Sequence, residues 1–266
     1  MTGVESVVRP DVLVAVPAHL GSRRLPRKVL AEIGGVPMLR RVLDRCALAR
    51  DIRAVVLCTD APELADLAAQ WGHEVLLREE SCVSGTERLA RALPTLLERY
   101  GGSGGIDQPW VVNVQADQPF LDPGLLDRLC SVLRELPSET SLLTPVFRLR
   151  PHQIHDPAVV KALLTADRRR AIVFSRSALP HVHDVDPSLW HQVTPYWGHI
   201  GVYVFRASAL SQWLSLPESP LERVEGLEQW RWIEAGFSIA TLVEDGDSLA
   251  VDTPAQLEAA RQRCAA

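Results

Sequence analysis

The sequence predicts an α/β fold built on a doubly wound, mostly parallel sheet. Strand-length apolar runs alternate with amphipathic helical segments four times in the first half of the chain. Each run ends in small, polar or proline residues, which is typical of buried parallel strands. Parallel strands need crossover connections, and these are right-handed. The alternation therefore indicates a Rossmann-like arrangement with helices on both faces of the sheet.

The individual elements follow from the same periodicities in chain order. Strands are predicted at 12–16, 54–58, 74–77 and 110–115, with helices at 37–48, 62–71, 86–100 and from 123 onward. In the less regular second half, strands are predicted at 142–149, 159–164, 200–205 and 239–243. Helical spacing covers 221–233, an irregular loop covers 181–196, and a helix closes the chain. Residues 1–10 are predicted to form a disordered tail, and 11–266 a single domain.

Composition and charge narrow the functional class. The chain has 266 residues, of which 47% are hydrophobic and 23% charged, as in an ordinary globular enzyme. The net charge of −5 argues against a general nucleic-acid or anionic-membrane binder. No apolar run reaches the roughly 18 residues of a membrane span. Five cysteines without a C-x-x-C pair and no visible signal peptide favour a reduced, cytoplasmic setting.

The segment after the first strand is the most informative one. Pro17 ends the apolar run and opens a small-residue loop that carries four basic side chains up to Lys28. Ligands of open α/β sheets lie outside the carboxyl ends of the strands, so this loop predicts a triphosphate site. Backbone N–H groups and basic side chains would bind the phosphates. The alternative is a solvated basic turn, since neither the Walker nor the dinucleotide pattern is present.

Two carboxylates stand at boundaries between elements. Asp117 follows a strongly apolar strand, and Asp252 precedes Thr253 and Pro254. If brought together, the pair would bind Mg²⁺ against a triphosphate, because Mg²⁺ prefers one or two carboxylates plus substrate oxygens. The alternative for each is an N-cap aspartate at the start of a helix.

Other candidate groups are less specific. The segment 84–88 follows a strand and opens a helix, where hydroxyl and N–H groups are able to bind a base or ribose or simply cap the helix. Arg176 ends an apolar stretch and suits a carboxylate ligand, although a surface arginine is the alternative. The histidines lack zinc-site spacing, and no cysteine or Gly-x-Ser-x-Gly elbow marks a nucleophile.

Together these segments resemble the 3-deoxy-manno-octulosonate (Kdo) cytidylyltransferase family, also called CMP-Kdo synthetases. Seven motifs in the family's order carry the resemblance. They are 17–28 (PAHLGSRRLPRK), 84–90 (SGTERLA), 112–119 (VNVQADQP), 174–180 (FSRSALP), 199–203 (HIGVY), 219–231 (SPLERVEGLEQWR) and 251–254 (VDTP). The resemblance implies a nucleotide-diphospho-sugar transferase fold of the glycosyltransferase-A-like type, a single cytidylyltransferase domain and a homodimer, with dimer contacts in the second half.

The resemblance also implies roles for individual residues. The CTP site would comprise Pro17, Ala18, Gly21, Ser22, Arg24, Lys28, Thr59, Asp60, Ser84, Gly85, Thr86 and Arg88. The sugar-acid site would comprise Gln115, Arg176, His199, Tyr203, Glu228 and Gln229. Asp117 and Asp252 would bind Mg²⁺, and these two residues with Arg24 and Lys28 would form the catalytic set.

The implied reaction joins CTP and Kdo to give CMP-Kdo and pyrophosphate, which supplies activated sugar for lipopolysaccharide synthesis. The anomeric hydroxyl must attack the α-phosphorus in line, and two anions must be brought together. Catalysis would then consist mostly of positioning and charge stabilisation, with Mg²⁺ on the phosphates and Arg176 on the sugar carboxylate. No protein nucleophile is needed.

The chain departs from the family pattern at a few positions. His19 stands where Arg is usual, Arg27 where Gly is usual, and Ala116 and Gln118 where Gly and Glu are usual. These changes leave two alternatives open. One is a cytidylyltransferase for another sugar acid, such as 8-amino-Kdo or a sialic-acid-like substrate, and the other is a non-catalytic nucleotide-sugar-binding homologue.

Overall fold

The computed structural model describes residues 11–22, 24–101, 109–246 and 250–265. The predicted tail at 1–10 lies outside the described residues. The first half contains, in order, β1 (Asp11–Ala18), β2 (Glu32–Ile33), β3 (Val36–Pro37), α1 (Met38–Ala47), β4 (Ala54–Thr59), α2 (Pro62–Gln70), β5 (Glu74–Leu77), α3 (Gly85–Tyr100), β6 (Pro109–Val114) and α4 (Pro123–Leu133). Its alternation of strands and helices agrees with the prediction.

The second half is richer in strands joined by short connections. It contains β7 (Leu142–Arg148), β8 (Lys161–Leu164), β9 (Arg170–Ser175), α5 (Trp190–Val193), β10 (Trp197–His199), β11 (Val202–Arg206), α6 (Ala207–Gln212), α7 (Pro220–Glu225), α8 (Gln229–Glu234), β12 (Ile239–Glu244) and α9 (Pro254–Ala265). The helical spacing at 221–233 spans two helices, because Gly226 ends α7 in the left-handed region at φ 63°. The predicted loop at 181–196 includes α5.

One ten-stranded sheet passes through both halves in the order β10-β8-β9-β12-β7-β11-β6-β1-β4-β5. Strands β6, β1, β4 and β5 are mutually parallel, and β7 is parallel to β12. The other pairings of this sheet, between β11 and its neighbours and among β7–β10 and β12, are antiparallel. The α/β class is confirmed, but a mostly parallel sheet is wrong for the second half. Connections as short as that between β8 and β9 permit only antiparallel neighbours.

Helices cover both faces of the parallel part. Val12, Val14 and Val16 of β1 pack in a cluster with α1 and α4, whereas Ala15 packs in another with α3. This alternation buries β1 on both sides and directs its carboxyl end, with those of β4 and β6, to one edge of the sheet. In the parts of the chain described, no helix has the length and apolarity to cross a membrane.

Candidate active site

Asp117 and Asp252 meet at this edge of the sheet, on either side of a lysine. Lys28 Nζ donates hydrogen bonds to Asp117 Oδ2 at 2.8 Å and to Asp252 Oδ1 at 2.6 Å. Arg24 Nη2 lies 2.9 Å from Asp252 Oδ2. The Val251 N–H donates to the Asp117 carbonyl at 2.9 Å, which ties the two segments together. Two carboxylates that are remote in sequence therefore share one cation.

Neither aspartate caps a helix. Asp122 caps α4, because its side chain accepts from the Gly124 N–H. At α9 the cap is Thr253, whose Oγ1 accepts from the Gln256 N–H at 3.3 Å, while Gln256 Oε1 accepts from the Asp252 N–H at 2.9 Å. The capping alternative for both aspartates is wrong, and their carboxylates are available to a ligand.

Charge pairing determines the protonation states of this group. Burial by itself raises the pKa of Asp252, but hydrogen bonds and charge from Lys28 and Arg24 outweigh it and hold that pKa below its ordinary value. Burial opposes the charge of Lys28, yet the two aspartates raise its pKa above the ordinary value. Asp252 and Lys28 are therefore both ionised at neutral pH.

The basic loop and the start of α3 enclose a cavity of about 880 Å³, here called the loop cavity. Its lining includes His19, Gly21, Ser22, Arg24, Lys28, Asp60, Cys82, Arg88 and Asp252. Arg88 is buried and donates to Asp60 Oδ2 at 2.8 Å. A smaller pocket of about 80 Å³ is lined by Pro17, Ala18, Ser84, Gly85, Gln115 and Asp117, besides residues that it shares with the loop cavity.

Gly85 lies where a side chain would be crowded. A Cβ built there would lie 3.0 Å from Pro17 Cγ and 3.2 Å from Gln115 Nε2. The preceding residue, Ser84, caps α3 by accepting from the Glu87 N–H at 3.2 Å. The close approach of Pro17 and Gln115 to the α3 N-terminus therefore favours glycine at this position.

A second opening of about 510 Å³, the inner cleft, lies on the antiparallel side. Among its lining residues are Arg24, Gln115, Asp117, Arg176, His199 and Asp252. Arg176 is held in place by backbone carbonyls, since its Nε donates to Glu225 O at 2.6 Å and its Nη1 to Pro157 O at 3.0 Å. Because Arg24, Asp117 and Asp252 also line the loop cavity or the smaller pocket, the shared carboxylates stand between the two spaces.

Some predicted site residues do not reach either opening. Tyr203, Thr86 and Gln229 are buried, and Thr86 Oγ1 donates to Glu228 Oε2. Burial raises the pKa of Glu228 and, together with the Glu228 charge, that of Tyr203. Thr59 is also buried, and its Oγ1 accepts from the Ala61 N–H at 3.2 Å. These five residues line neither of the two spaces nor the smaller pocket.

The sequence analysis missed several side chains that line the inner cleft: Gln118, His152, Gln153, Asp156, Gln256 and Arg263. They come from loops after β6 and β7 and from α9. Of these, only Gln256 carried a local signal, because Thr253 followed three residues later by Gln is a capping-box pattern. That pattern predicts a helix start rather than a ligand contact.

The departures from the family pattern have structural explanations. Among the described residues, positive φ at non-glycine positions occurs at Arg27, Arg168 and Asp184, so the turn at Ala116 does not need glycine. Arg27 has φ 54°, a left-handed conformation that favours the glycine usual in the family at this position. Its guanidinium pairs with Glu63 at 2.5 Å. His19 Nδ1 accepts from the Gly21 N–H at 3.1 Å. Burial, then the Arg88 charge, lower the His19 pKa.

Comparison with known proteins identifies the family. The cytidylyltransferase family model matches residues 13–240. A 3-deoxy-manno-octulosonate cytidylyltransferase of Chlorobium limicola is 37% identical over 258 residues, which cover 95% of this chain and 96% of the relative. One of Azorhizobium caulinodans is 39% identical over 254 residues, 94% of each chain. The chain belongs to the 3-deoxy-manno-octulosonate cytidylyltransferase family.

Solved structures agree with membership of this cytidylyltransferase family. A CMP:2-keto-3-deoxy-manno-octonic acid synthetase in complex with CTP matches with a TM-score of 0.83 and 28% identity, covering 96% of this chain and 98% of that one. The 4-diphosphocytidyl-2C-methyl-D-erythritol synthase of Anaerococcus prevotii matches with a TM-score of 0.59 at 9% identity, covering 97% and 99% of the two chains. The second match concerns the fold alone. The predicted family and α/β nucleotidyltransferase fold are confirmed.

Proposed function

We propose that this chain transfers CMP from CTP to the anomeric hydroxyl of 3-deoxy-D-manno-octulosonate, releasing pyrophosphate and forming CMP-Kdo. The observation that carries the proposal is the pair Asp117 and Asp252, both bonded to Lys28 between the loop cavity and the inner cleft. A reaction between two anionic substrates needs such a junction, with a cation at the point where the substrates meet.

In this proposal CTP occupies the loop cavity and the smaller pocket beside it. Arg24, Lys28 and the loop N–H groups of residues 18–22 bind the triphosphate, since they combine positive charge with backbone donors. Ser84, Gly85 and Arg88 bind the cytidine, and Thr59, Asp60 and Thr86 support them. When CTP enters, phosphate oxygens replace carboxylates as partners of Arg24 and Lys28.

The donor set at the junction suits Mg²⁺. Asp117 Oδ2 and Asp252 Oδ1 lie within 2.8 Å of the same nitrogen, so carboxylate oxygens already face one cationic position. The described residues contain no group of three or more His, Cys, Asp or Glu side chains able to hold a metal, so phosphate oxygens must complete the shell. When bound, Mg²⁺ supplies charge neutralisation on the phosphates.

We place the sugar acid in the inner cleft. Arg176 takes its carboxylate, because two of its donors are engaged by carbonyls and the rest of the guanidinium fork remains for a bidentate contact. Gln115 and His199 contact the hydroxyls, and Tyr203, Glu228 and Gln229 hold this wall in place. The anomeric hydroxyl then attacks the α-phosphorus in line as pyrophosphate leaves toward Arg24 and Lys28. No side chain acts as a nucleophile.

The wider setting follows from the same assignment. We infer that the product supplies lipopolysaccharide synthesis and that the reaction is cytoplasmic, where the free cysteines of the chain stay reduced. We also infer a homodimer, supported by the exposed apolar side chains Ile172, Leu214, Leu221 and Val224 in the second half. Light scattering of the purified protein tests the mass.

The decisive experiment measures pyrophosphate release from CTP, Mg²⁺ and Kdo. Asp117→Asn and Asp252→Asn are each expected to lower the rate about 1,000-fold, as losses of transition-state charge stabilisation do. Asp44→Asn, on the exposed side of α1, is the matched control and keeps full activity. Circular dichroism checks the fold. An active Asn variant at 117 or 252 would contradict its role at the metal.

A parallel panel of acceptors tests the substrate. Kdo is expected to be the preferred acceptor over 8-amino-Kdo and a nine-carbon sialic acid. Preference for either of the others assigns the enzyme to that acid. CTP binding without turnover on any acceptor would favour the non-catalytic homologue.

A further inference from the structure

A fully buried threonine contacts the predicted sugar-acid histidine from behind. Thr144 lies in the middle of β7 with no exposed surface. Its Oγ1 is 2.9 Å from His199 Nε2 and 2.7 Å from the carbonyl oxygen of Val202. The sequence analysis did not single out this residue, because nothing in the local pattern of an apolar strand indicates such a contact.

The two distances determine which atom carries each proton. A carbonyl oxygen only accepts, so the single hydroxyl hydrogen of Thr144 must point at Val202 O; without it, two oxygens would face each other at 2.7 Å. The hydroxyl oxygen is then an acceptor toward His199, and Nε2 must be the protonated ring nitrogen. His199 is thereby fixed as the Nε2–H tautomer.

The other ring nitrogen faces a different environment. Within the described part of the chain, His199 Nδ1 has no hydrogen-bond partner, and His199 lines the inner cleft. The ring is held at its sides by Phe174, with centroids 5.4 Å apart, and by Tyr203, at 5.0 Å. Burial lowers the His199 pKa to about 3, so the ring stays neutral at working pH.

We propose that Thr144 is a positioning residue that presents His199 Nδ1 to the inner cleft as a hydrogen-bond acceptor for a hydroxyl group of the sugar acid. The proposal rests on the proposed function, since it needs the sugar acid in this cleft. Under this proposal, different residues recognise the carboxylate and the hydroxyl groups of the sugar acid. A neutral acceptor cannot bind a carboxylate, which goes to Arg176, whereas a sugar hydroxyl donates to Nδ1.

The first test is spectroscopic and independent of turnover. In ¹⁵N NMR of the free, histidine-labelled protein at neutral pH, the His199 signals, assigned by their loss in His199→Gln, should show a protonated Nε2 and an unprotonated Nδ1. Thr144→Ser keeps this tautomer, whereas Thr144→Val gives the mixture of tautomers of a free imidazole. A protonated Nδ1 in the wild-type protein would overturn the proposal.

The second test measures the functional consequence. Thr144→Val should raise the KM for the sugar acid about 10-fold, the size of one neutral hydrogen bond, with the KM for CTP unchanged. Thr144→Ser should restore it. Thr241→Val is the matched control. Thr241 lies on β12 opposite Thr144, and its hydroxyl also donates to a carbonyl, Arg168 O at 2.8 Å, without touching a histidine.

These outcomes separate the two proposals. No turnover of any sugar acid by the wild-type protein refutes the proposed function, while the NMR result still reports on the tautomer. A correct tautomer with an unchanged sugar KM in Thr144→Val refutes the positioning role alone. An equal effect of Thr241→Val would also refute it, because the loss would then reflect packing of the sheet.

Discussion

The loop cavity and the inner cleft hold their polar groups in opposite ways. In the loop cavity the basic side chains pair with carboxylates: Lys28 with Asp117 and Asp252, and Arg88 with Asp60. In the inner cleft, Arg176 is bonded to backbone carbonyls, and His199 is a neutral ring bonded to Thr144. One side consists of exchangeable ion pairs and the other of fixed, largely neutral contacts.

The difference indicates how the loop cavity and the inner cleft each accommodate a ligand. A triphosphate and a metal ion carry the same charges as the carboxylates and the ammonium that they displace, so they are able to replace the internal partners of Lys28 and of the two aspartates. Hydrogen bonds to backbone carbonyls stay in place when a ligand enters, so the Arg176 side of the inner cleft is preorganised. Variants of Lys28 and Arg176 distinguish the exchange of ion-pair partners from binding to preorganised hydrogen bonds.

The largest effect is expected from Lys28→Met. It removes the cation that Asp117 and Asp252 share, leaves only Arg24 beside Asp252, and removes a triphosphate contact, so kcat/KM should fall at least about 100-fold. Mg²⁺ should then raise the melting temperature more in the variant than in the wild type, because it replaces the lost charge. Differential scanning fluorimetry with and without Mg²⁺ measures this. Arg24→Met, which leaves Lys28 in place, is the control. An equal Mg²⁺-dependent rise in melting temperature in the wild type would contradict the exchange of Lys28 for Mg²⁺ at the two aspartates.

Arg176→Met should act on the other substrate. Loss of a charge-assisted contact should raise the KM for the sugar acid about 10- to 100-fold while the KM for CTP stays unchanged. Steady-state kinetics with each substrate varied separately provide the measurement. Arg170→Met removes an exposed arginine from β9, the strand that Arg176 directly follows, and should leave both constants unchanged. A raised KM for CTP in Arg176→Met would argue against separate binding spaces for CTP and the sugar acid.

The neutral histidine should give the inner cleft a distinct pH signature. The folded-state pKa of His199 is about 3, below the ordinary value of 6.5, so the unfolded chain binds the extra proton first. Its contribution to stability is complete above pH 6.5 and is lost as the pH falls toward 3. Between pH 7 and 4.5, the wild type should lose roughly 2 kcal/mol more unfolding free energy than His199→Gln.

Urea unfolding across this pH range tests the expectation. The exposed residue His183 provides the control, since His183→Gln should retain the wild-type pH dependence. Parallel curves for the wild type and His199→Gln would mean that folding does not lower the pKa of His199.

The smallest effect is expected at Arg27. Arg27→Gly relieves a left-handed backbone at φ 54°, worth about 1 kcal/mol, and loses a surface ion pair with Glu63 worth up to about 1 kcal/mol. The unfolding free energy should therefore change by less than about 1 kcal/mol. Because Arg27 does not line the loop cavity, the KM for CTP should not move. A clearly higher KM would make Arg27 a substitute phosphate ligand.

The parallel half and its ligand edge were predictable from local pattern. Strand ends deliver polar groups to one edge of a parallel sheet, so Lys28 after β1 and Asp117 after β6 were expected at the same place. The convergence of Asp252 came from the family resemblance rather than from spacing. The antiparallel order of β7–β11 was not predictable, because an apolar strand carries no sign of the direction of its neighbour.

By itself the sequence determined the α/β class and the family, and it predicted the aspartates at 117 and 252 as a pair, because periodicity and motif order are written along the chain. Only the tertiary structure decided which motif residues face a ligand. Tyr203, Gln229 and Thr86 are buried, whereas Gln256 and Arg263 line the inner cleft. The tertiary structure also set the proton position on His199, through Thr144, 55 residues away. Such roles depend on distances between side chains that are remote in sequence, and no local pattern encodes those distances.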